Sequence, residues 1–383
     1  MGYARTGRHF VSTLLMVAAA TLAACGGGSS EDDPSIASLK LIGTASLPTG
    51  TQFDGVEFGG ISGLDRAADG SYWAISDDRG GERGTPRFYN LSIEYGATGP
   101  VTVTVKQQKF MLREDGSRFP ANARTVDPEG IRLAPNGNLY WSSEGNWGTT
   151  AATLFQPFLR EMTTDGKFVR EFKTPSAYNY VDNATTGGRS NKLFEALTVS
   201  HDGTVFIANE DALAQDGSLT TVQTGSVVRV TAMDAKTGAA KAQYAYQIPK
   251  IPVDAPAGAP FGPDNGLSDM LAVGNRKFIA VERAFASGIG NTIRLVQTEI
   301  TDATTDVSGQ ASLKAATYTP MTRKVLLEMP ITYEGVKLDN IEAITWGKTL
   351  PNGNRTLVLA ADNNFTATTQ ANQFLVFEVV AEK

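Results

Sequence analysis

The stretch "DPEGIRLAPNGNLYWSSEGN", Asp127 to Asn146, has a carboxylate at its head and another near its tail. Between them lie two apolar runs joined at Asn136-Gly137. Asn-Gly between two such runs is a strong signal for a tight β-hairpin. The phrase recurs as "GISGLDRAADGSYWAISDD" from Gly60, "FEALTVSHDGTVFIANED" from Phe194, "LSDMLAVGNRKFIAVER" from Leu267 and "IEAITWGKTLPNGNRTLVLAADNN" from Ile341. Superposing the copies puts Ser62, Glu129, Glu195, Asp269 and Glu342 at one position, 67, 66, 74 and 73 residues apart. So regular a period marks a repeat architecture.

Each hairpin is followed by candidate third and fourth strands: 88–95 with 101–110, 154–163 with 168–172, 225–231 with 240–248, and 292–300 with 323–329. Helical periodicity is scarcely visible. Four short antiparallel strands per unit, repeated around an axis, make a β-propeller. The last unit draws its third strand from "NQFLVFEVV", 372–380, where the chain nearly ends, and "SLKLIGTASL", 38–47, is left over before the first repeat. Pairing the two closes the ring and removes exposed edges. The expectation is an all-β chain, a single propeller of five four-stranded blades, with a sixth only if an insertion hides it.

A hairpin returns to its starting side, so the acids that open the innermost strands and those that close the second strands share one face. Glu129 goes with Glu144, Glu195 with Glu210, Asp269 with Glu282, Glu342 with Asp362, and the first unit offers Asp77 and Asp78. Long connectors reach the same face, as functional loops tend to. Two carboxylates about 5 Å apart repel by about 3 kcal/mol at an effective dielectric of 20. Relief must come from raised pKa values, arginines or a bound cation. Hard oxygen ligands in loose geometry suit Ca²⁺. On this reading Glu129, Glu195, Asp269 and Glu342 hold the metal, with Glu129, Glu195 and Glu342 catalytic. Arg79, Arg189, Arg283, Asp362 and Asn364 are the candidates for substrate binding. The competing reading makes these acids architectural, chiefly Asp77, Glu144 and Glu210.

Other chemistries fit poorly. His201 is the only histidine beyond the leader and lies in a turn at the far end of its blade, so a Ser-His-Asp triad has no place. Zinc lacks both histidine and thiol ligands there. No GxxxxGK[S/T] phosphate loop is present. Trp73, Trp141 and Trp346 fall within strand patterns and read as blade core; Trp147, beside Glu144, is the tryptophan placed to touch a ligand.

The N-terminus reads separately. Arg5 and Arg8 precede an apolar run ending in "LAAC", Leu22 to Cys25, the order of a secretory signal. The ending resembles a bacterial lipobox, and Cys25 is the only cysteine, so it forms no internal disulfide. Residues 1–24 are therefore expected to be a signal peptide. Residues 25–35 are a lipidated Cys25 with a flexible tether, and 36–383 the propeller. The protein would be anchored to the cell envelope, at the outer membrane where there are two, facing the periplasm or the surface. Without Arg5 and Arg8 the chain has 32 basic against 40 acidic residues. That balance, with no basic cluster, argues against nucleic acid as a partner. A monomer is expected.

Taken together, the five phrases and the closing "NQFLVFEV" resemble the phytase-like family, described as having esterase-like activity, over Leu41 to Val380. The resemblance implies hydrolysis of phosphate or other esters at a calcium-bearing propeller. Glu129-Gly130 is also similar to the metal-binding start of an inner strand in lactonases of the gluconolactonase type. Three functions follow: a calcium-assisted hydrolase of small anionic esters, a non-catalytic propeller binding a surface polymer or protein, and a lactonase-like esterase.

Overall fold

The computed structural model describes residues 1–2, 35–78, 81, 83–182, 185–366 and 368–382; Cys25, all but the first two residues of the signal sequence, nearly all of the tether and Arg79 lie outside them. The first strand, β1 (Ile36–Pro48), is followed by a small hairpin of β2 (Gln52–Phe53) and β3 (Val56–Glu57). Blade 1 is β4 (Ile61–Arg66), β5 (Tyr72–Ser76), β6 (Arg87–Glu94) and β7 (Thr102–Phe110). Blade 2 is β8 (Pro128–Leu133), β9 (Leu139–Ser143), β10 (Phe158–Met162) and β11 (Phe168–Glu171). Blade 3 is β12 (Phe194–Val199), β13 (Val205–Asn209), β14 (Ser226–Met233) and β15 (Ala240–Ile248). Blade 4 is β16 (Asp264–Ala272), β17 (Lys277–Ala286), β18 (Gly290–Glu299) and β19 (Lys324–Met329). A second small hairpin, β20 (Thr332–Tyr333) and β21 (Val336–Lys337), leads into blade 5. That blade is β22 (Asn340–Trp346), β23 (Thr356–Asp362), β24 (Ala371–Ala381) and, outermost, β1.

The chain is thus a five-bladed β-propeller, and its N-terminal strand closes the ring as the leftover apolar segment predicts. β1 runs antiparallel to β24 from Ile36 opposite Ala381 to Pro48 opposite Ala371. The two small hairpins turn on Asp54-Gly55 and Glu334-Gly335, with positive φ at both central residues of each. That is the tight-turn geometry whose twist matches the flanking strands.

Five apolar clusters hold the blades together, one at each junction. Blades 1 and 2 meet over Trp73, Phe88, Ile131 and Trp141; blades 2 and 3 over Tyr140, Leu159, Phe194 and Ile207. Phe206 and Phe278 pack edge to face, centroids 4.9 Å apart, where blades 3 and 4 join. Ile279, Leu295, Ile341 and Leu359 fill the next junction, and Tyr72, Leu64, Val358 and Phe374 close the circle. Each sheet therefore has two buried faces, which explains inner strands buried almost throughout and the want of simple alternation in their sequences.

The innermost strands share a defect. In every one the pairing with the second strand slips, and the residues passed over are Ser62, Glu129 with Gly130, Glu195, Ser268 and Glu342. A β-bulge of this kind re-aims a side chain and interrupts the alternation of faces. It corrects the superposition of the repeats: the blade-4 counterpart is Ser268, and Asp269 is one residue further along.

That single step gives Asp269 another role. Nη2 of Arg132, from β8, donates to both carboxylate oxygens of Asp269 at 2.9 and 2.7 Å, and to the carbonyls of Met270 and Ile344. Nη1 donates to the carbonyls of Leu64 and Ile131. Asp269 also accepts from the backbone N–H groups of Met270 and Ile344. One buried guanidinium so ties blade 2 to blades 1, 4 and 5. Burial pushes the Asp269 carboxyl up to about 6 in spite of Arg132 and the N–H groups that favour its charged form.

Candidate functional site

The starts of the inner strands and the ends of the second strands converge on one face, as expected, around a cavity of about 970 Å³. Asp77, Glu129, Glu195, Arg283, Glu342, Asp362 and Asn364 all line it. Sequence reasoning placed most of these correctly because hairpin geometry alone brings strand ends to a common side.

Two carboxylate triads sit on the side belonging to blades 1 to 3. Asp77, Asp127 and Glu129 each present an oxygen within 4.8 Å of the other two, and Glu129, Glu144 and Glu195 do the same. Glu129 is shared between them. It is fixed by the bulge residue of the preceding blade, whose hydroxyl, Ser62 Oγ, donates to Glu129 Oε2 at 2.5 Å. A glycine must follow: a Cβ on Gly130 would lie 2.5 Å from Leu197 Cβ and 2.9 Å from Ser142 Oγ. Ser142 Oγ uses that space to accept from the Gly130 N–H at 2.8 Å. Glu144 accepts from the backbone N–H of Leu193 and its own N–H donates to the Asp127 carbonyl at 2.9 Å.

Burial and mutual repulsion raise these groups together. Asp77, Glu129 and Glu195 are held well above the ordinary carboxylate range, by burial first and then by Asp127, Asp77 and Glu144 respectively. Glu144 is pushed up to about 8, by burial and then by Asp127. Glu195 Oε2 is buried with no hydrogen-bond partner. A buried carboxylate oxygen left bare is costly, and a cation within a set of hard oxygen donors removes the cost. The donor set therefore fits a metal ion.

The part of the cavity running from blade 3 to blades 4 and 5 is organised by cations. Arg283 Nη2 lies 2.8 Å from Glu210 Oε1 and 3.5 Å from Glu342 Oε1, so Arg283 bridges outer and inner acids. Lys192 is paired with Glu210 at 2.7 Å and Asp264 at 2.6 Å. Glu342 is pushed up to about 8 by burial and by Asp362, against the pull of Arg283. Asn340 Nδ2 donates to Glu342 Oε1 at 2.8 Å, and the Asn364 N–H donates to Asp362 Oδ1 at 2.7 Å.

Several residues go elsewhere. Asp269 belongs to the Arg132 pair and is not part of either triad. Arg189 is not a lining residue; its guanidinium donates to the carbonyls of Ala212 at 3.0 Å and Gly217 at 2.8 Å, bracing a loop of blade 3. Trp147 packs on Tyr180, centroids 5.8 Å apart, and does not line the cavity. Glu282 lies under the surface, paired with Arg323 at 2.6 Å and accepting from Tyr246. Asp127 was not singled out as a ligand, although the Asp-Pro-Glu-Gly motif displays it two residues before Glu129.

Residues 56–365 match the family described as Phytase-like, esterase-like activity of phytase. The chain belongs to the phytase-like family. Among curated proteins no sequence matches it significantly. Solved structures similar in chain path include a thermostable family-43 glycoside hydrolase, 11% identical with a TM-score of 0.48, covering 85% of this chain and 91% of that one. A luciferin-regenerating enzyme is 12% identical with a TM-score of 0.37, covering 89% and 95%. A glucose dehydrogenase is 11% identical with a TM-score of 0.34, covering 92% and 99%. The likeness is too distant to carry a function. Family membership and a buried carboxylate cluster able to hold a cation are the two facts on which function rests.

Proposed function

We propose that this phytase-like protein is a metal-assisted hydrolase of phosphate esters or related small esters, with calcium as the ion. The observation that carries it is the pair of triads joined at Glu129, with the bare Glu195 Oε2 beside them and a large cavity in front. Asp77, Asp127, Glu129, Glu144 and Glu195 would hold the ion. When bound, it polarises the scissile group and makes a water acidic enough to attack at neutral pH. Glu342 lines the same cavity and keeps its proton near neutrality, so it can protonate the leaving oxygen. Arg283, fixed by Glu210, holds Glu342 in place and, as the buried cation among the described lining residues, faces a developing negative charge. Asp362 and Asn364 line the same wall and position the alcohol portion.

The chain also enters the propeller from the side opposite the mouth. Ile36 lies opposite Ala381, whereas Pro48 lies opposite Ala371, whose N–H donates to Asp339 beside the cavity. With Cys25 lipidated, a tether of ten residues reaches at most about 35 Å and attaches to the base, so the mouth faces away from the membrane. The substrate is then a water-borne small ester rather than a bilayer lipid.

The test is hydrolysis of phenyl phosphate and phenyl acetate, with calcium and with chelator, by wild type, Glu195→Gln and Glu342→Gln. Calcium-dependent turnover that falls about 100-fold or more in Glu342→Gln is expected. Glu195→Gln should need more calcium for half-maximal rate. Absence of turnover on both substrates with calcium present favours the binding-propeller reading.

A further inference from the structure

We propose that the cavity takes an ester with an aromatic or other flat apolar group and at most one phosphate, and that it rejects polyphosphorylated polyols. The inference rests on the hydrolase reading above and narrows its substrate.

Charge is the first ground. Among the described residues the lining carries eight carboxylates against three cations, Arg83, Arg283 and Lys337. Arg283 is already committed to Glu210 and Glu342. Arg83 and Lys337 are exposed at the rim, where solvent and salt weaken them. Even a divalent ion in each triad would leave this wall without the excess positive charge that a polyanion needs. Sites that bind several phosphates supply clustered, bidentate arginines, and among the described residues the lining has no such cluster.

The second ground is an apolar rim on the same mouth. Phe261 is 69% exposed, and Phe285, Ile289 and Phe365 line the cavity with it. Phe365 is held there at a conformational cost, since Asn364 and Phe365 are consecutive non-glycine residues at φ of 43° and 50°. Such backbone persists only where its surroundings over-determine it. They do: the guanidinium carbons of Arg83 and Arg87 sit 5.3 and 5.9 Å from the ring centroid. A Cβ on Gly60 would come within 2.9 Å of Phe365 Cε2, so the ring is seated directly on that glycine. An exposed phenylalanine and a braced one lining the same acidic cavity suit a flat apolar group that leaves its polar end at the triads.

The experiment is calorimetric binding to the full chain at saturating calcium, with three non-hydrolysed or slowly hydrolysed probes. These are phenylphosphonate, methylphosphonate and inositol hexakisphosphate, the last with free calcium held constant because it chelates the ion. Phenylphosphonate should bind at least about tenfold tighter than methylphosphonate. Inositol hexakisphosphate should bind no tighter than methylphosphonate. Phe261→Ala should bring the two phosphonates within about threefold of each other by weakening only the phenyl compound. Tightest binding by the hexakisphosphate, a phenyl preference untouched by Phe261→Ala, or no binding of either phosphonate overturns the inference. Turnover separates it from the broader reading. Binding of phenylphosphonate without hydrolysis of any ester sinks the hydrolase and leaves the specificity standing. Preferential hydrolysis of the hexakisphosphate does the reverse.

Discussion

Stripping divalent cations should leave a protein that weakens as the pH rises, and calcium should abolish most of that slope. Glu144 and Glu342 are buried and both pushed up to about 8 from an ordinary 4.5. The unfolded chain sheds both protons near pH 4.5, while the folded protein keeps them to about 8. Across that window the folded state binds more protons, so the stability they contribute is complete below pH 4.5 and is lost as the pH climbs through 8. Moving one carboxyl from about 4.5 to about 8 is worth about 5 kcal/mol. Two give about 10 kcal/mol at most, which rivals the whole stability of an ordinary domain, about 5–15 kcal/mol. Asp77, Glu129 and Glu195 act in the same direction. With an unfolding entropy of about 2.1 cal/mol/K per residue over about 350 residues, a loss of 5–10 kcal/mol lowers Tm by about 7–14 °C. The assay is Tm by scanning calorimetry from pH 5 to 9, in chelator and in millimolar calcium. In chelator the expected fall is of that size. Calcium should reduce it to a few degrees and release protons on binding at neutral pH. A chelated protein whose Tm is flat across this range, or a slope that calcium leaves unaltered, would show that the acids are satisfied by the fold itself.

Three further outcomes are expected, two from the fold and one from the lipobox-like leader. Deleting residues 38–47 exposes the apolar edge of β24, so the protein should aggregate or melt at least about 10 °C lower; a monomer with an unchanged melt would refute closure by β1. Arg132→Met strands the buried Asp269 carboxylate and should cost about 3–5 kcal/mol in denaturant titration, while Arg132→Met with Asp269→Leu should recover most of it. A double variant no more stable than the single one would count against the ion pair as the cause. Cys25→Ser should move the protein from the membrane to the soluble fraction without changing its melt, and retention with membranes would exclude lipidation there.

Blade number, ring closure and the mouth on which the acids gather were legible in the sequence for a local reason. Turn dipeptides such as Asn136-Gly137 act over a few residues, and a hairpin's ends return to one side whatever surrounds it. The apolar segment before the first repeat likewise had one unfilled edge to occupy. Which acids meet was not legible. The bulge in β16 falls on Ser268, and alternation then sends Asp269 towards the axis, where an arginine from 137 residues earlier is waiting. Strand pairing sets that phase, and the order of the letters does not record it. Asp77 and Asp127 join Glu129 because blades 1 and 2 pack side by side. Arg189, beside the acids in sequence, is drawn to two loop carbonyls instead. Local propensity and period determined the architecture of this protein. The composition of its site was decided by contacts between blades, where burial and charge act over distances that a linear pattern does not measure.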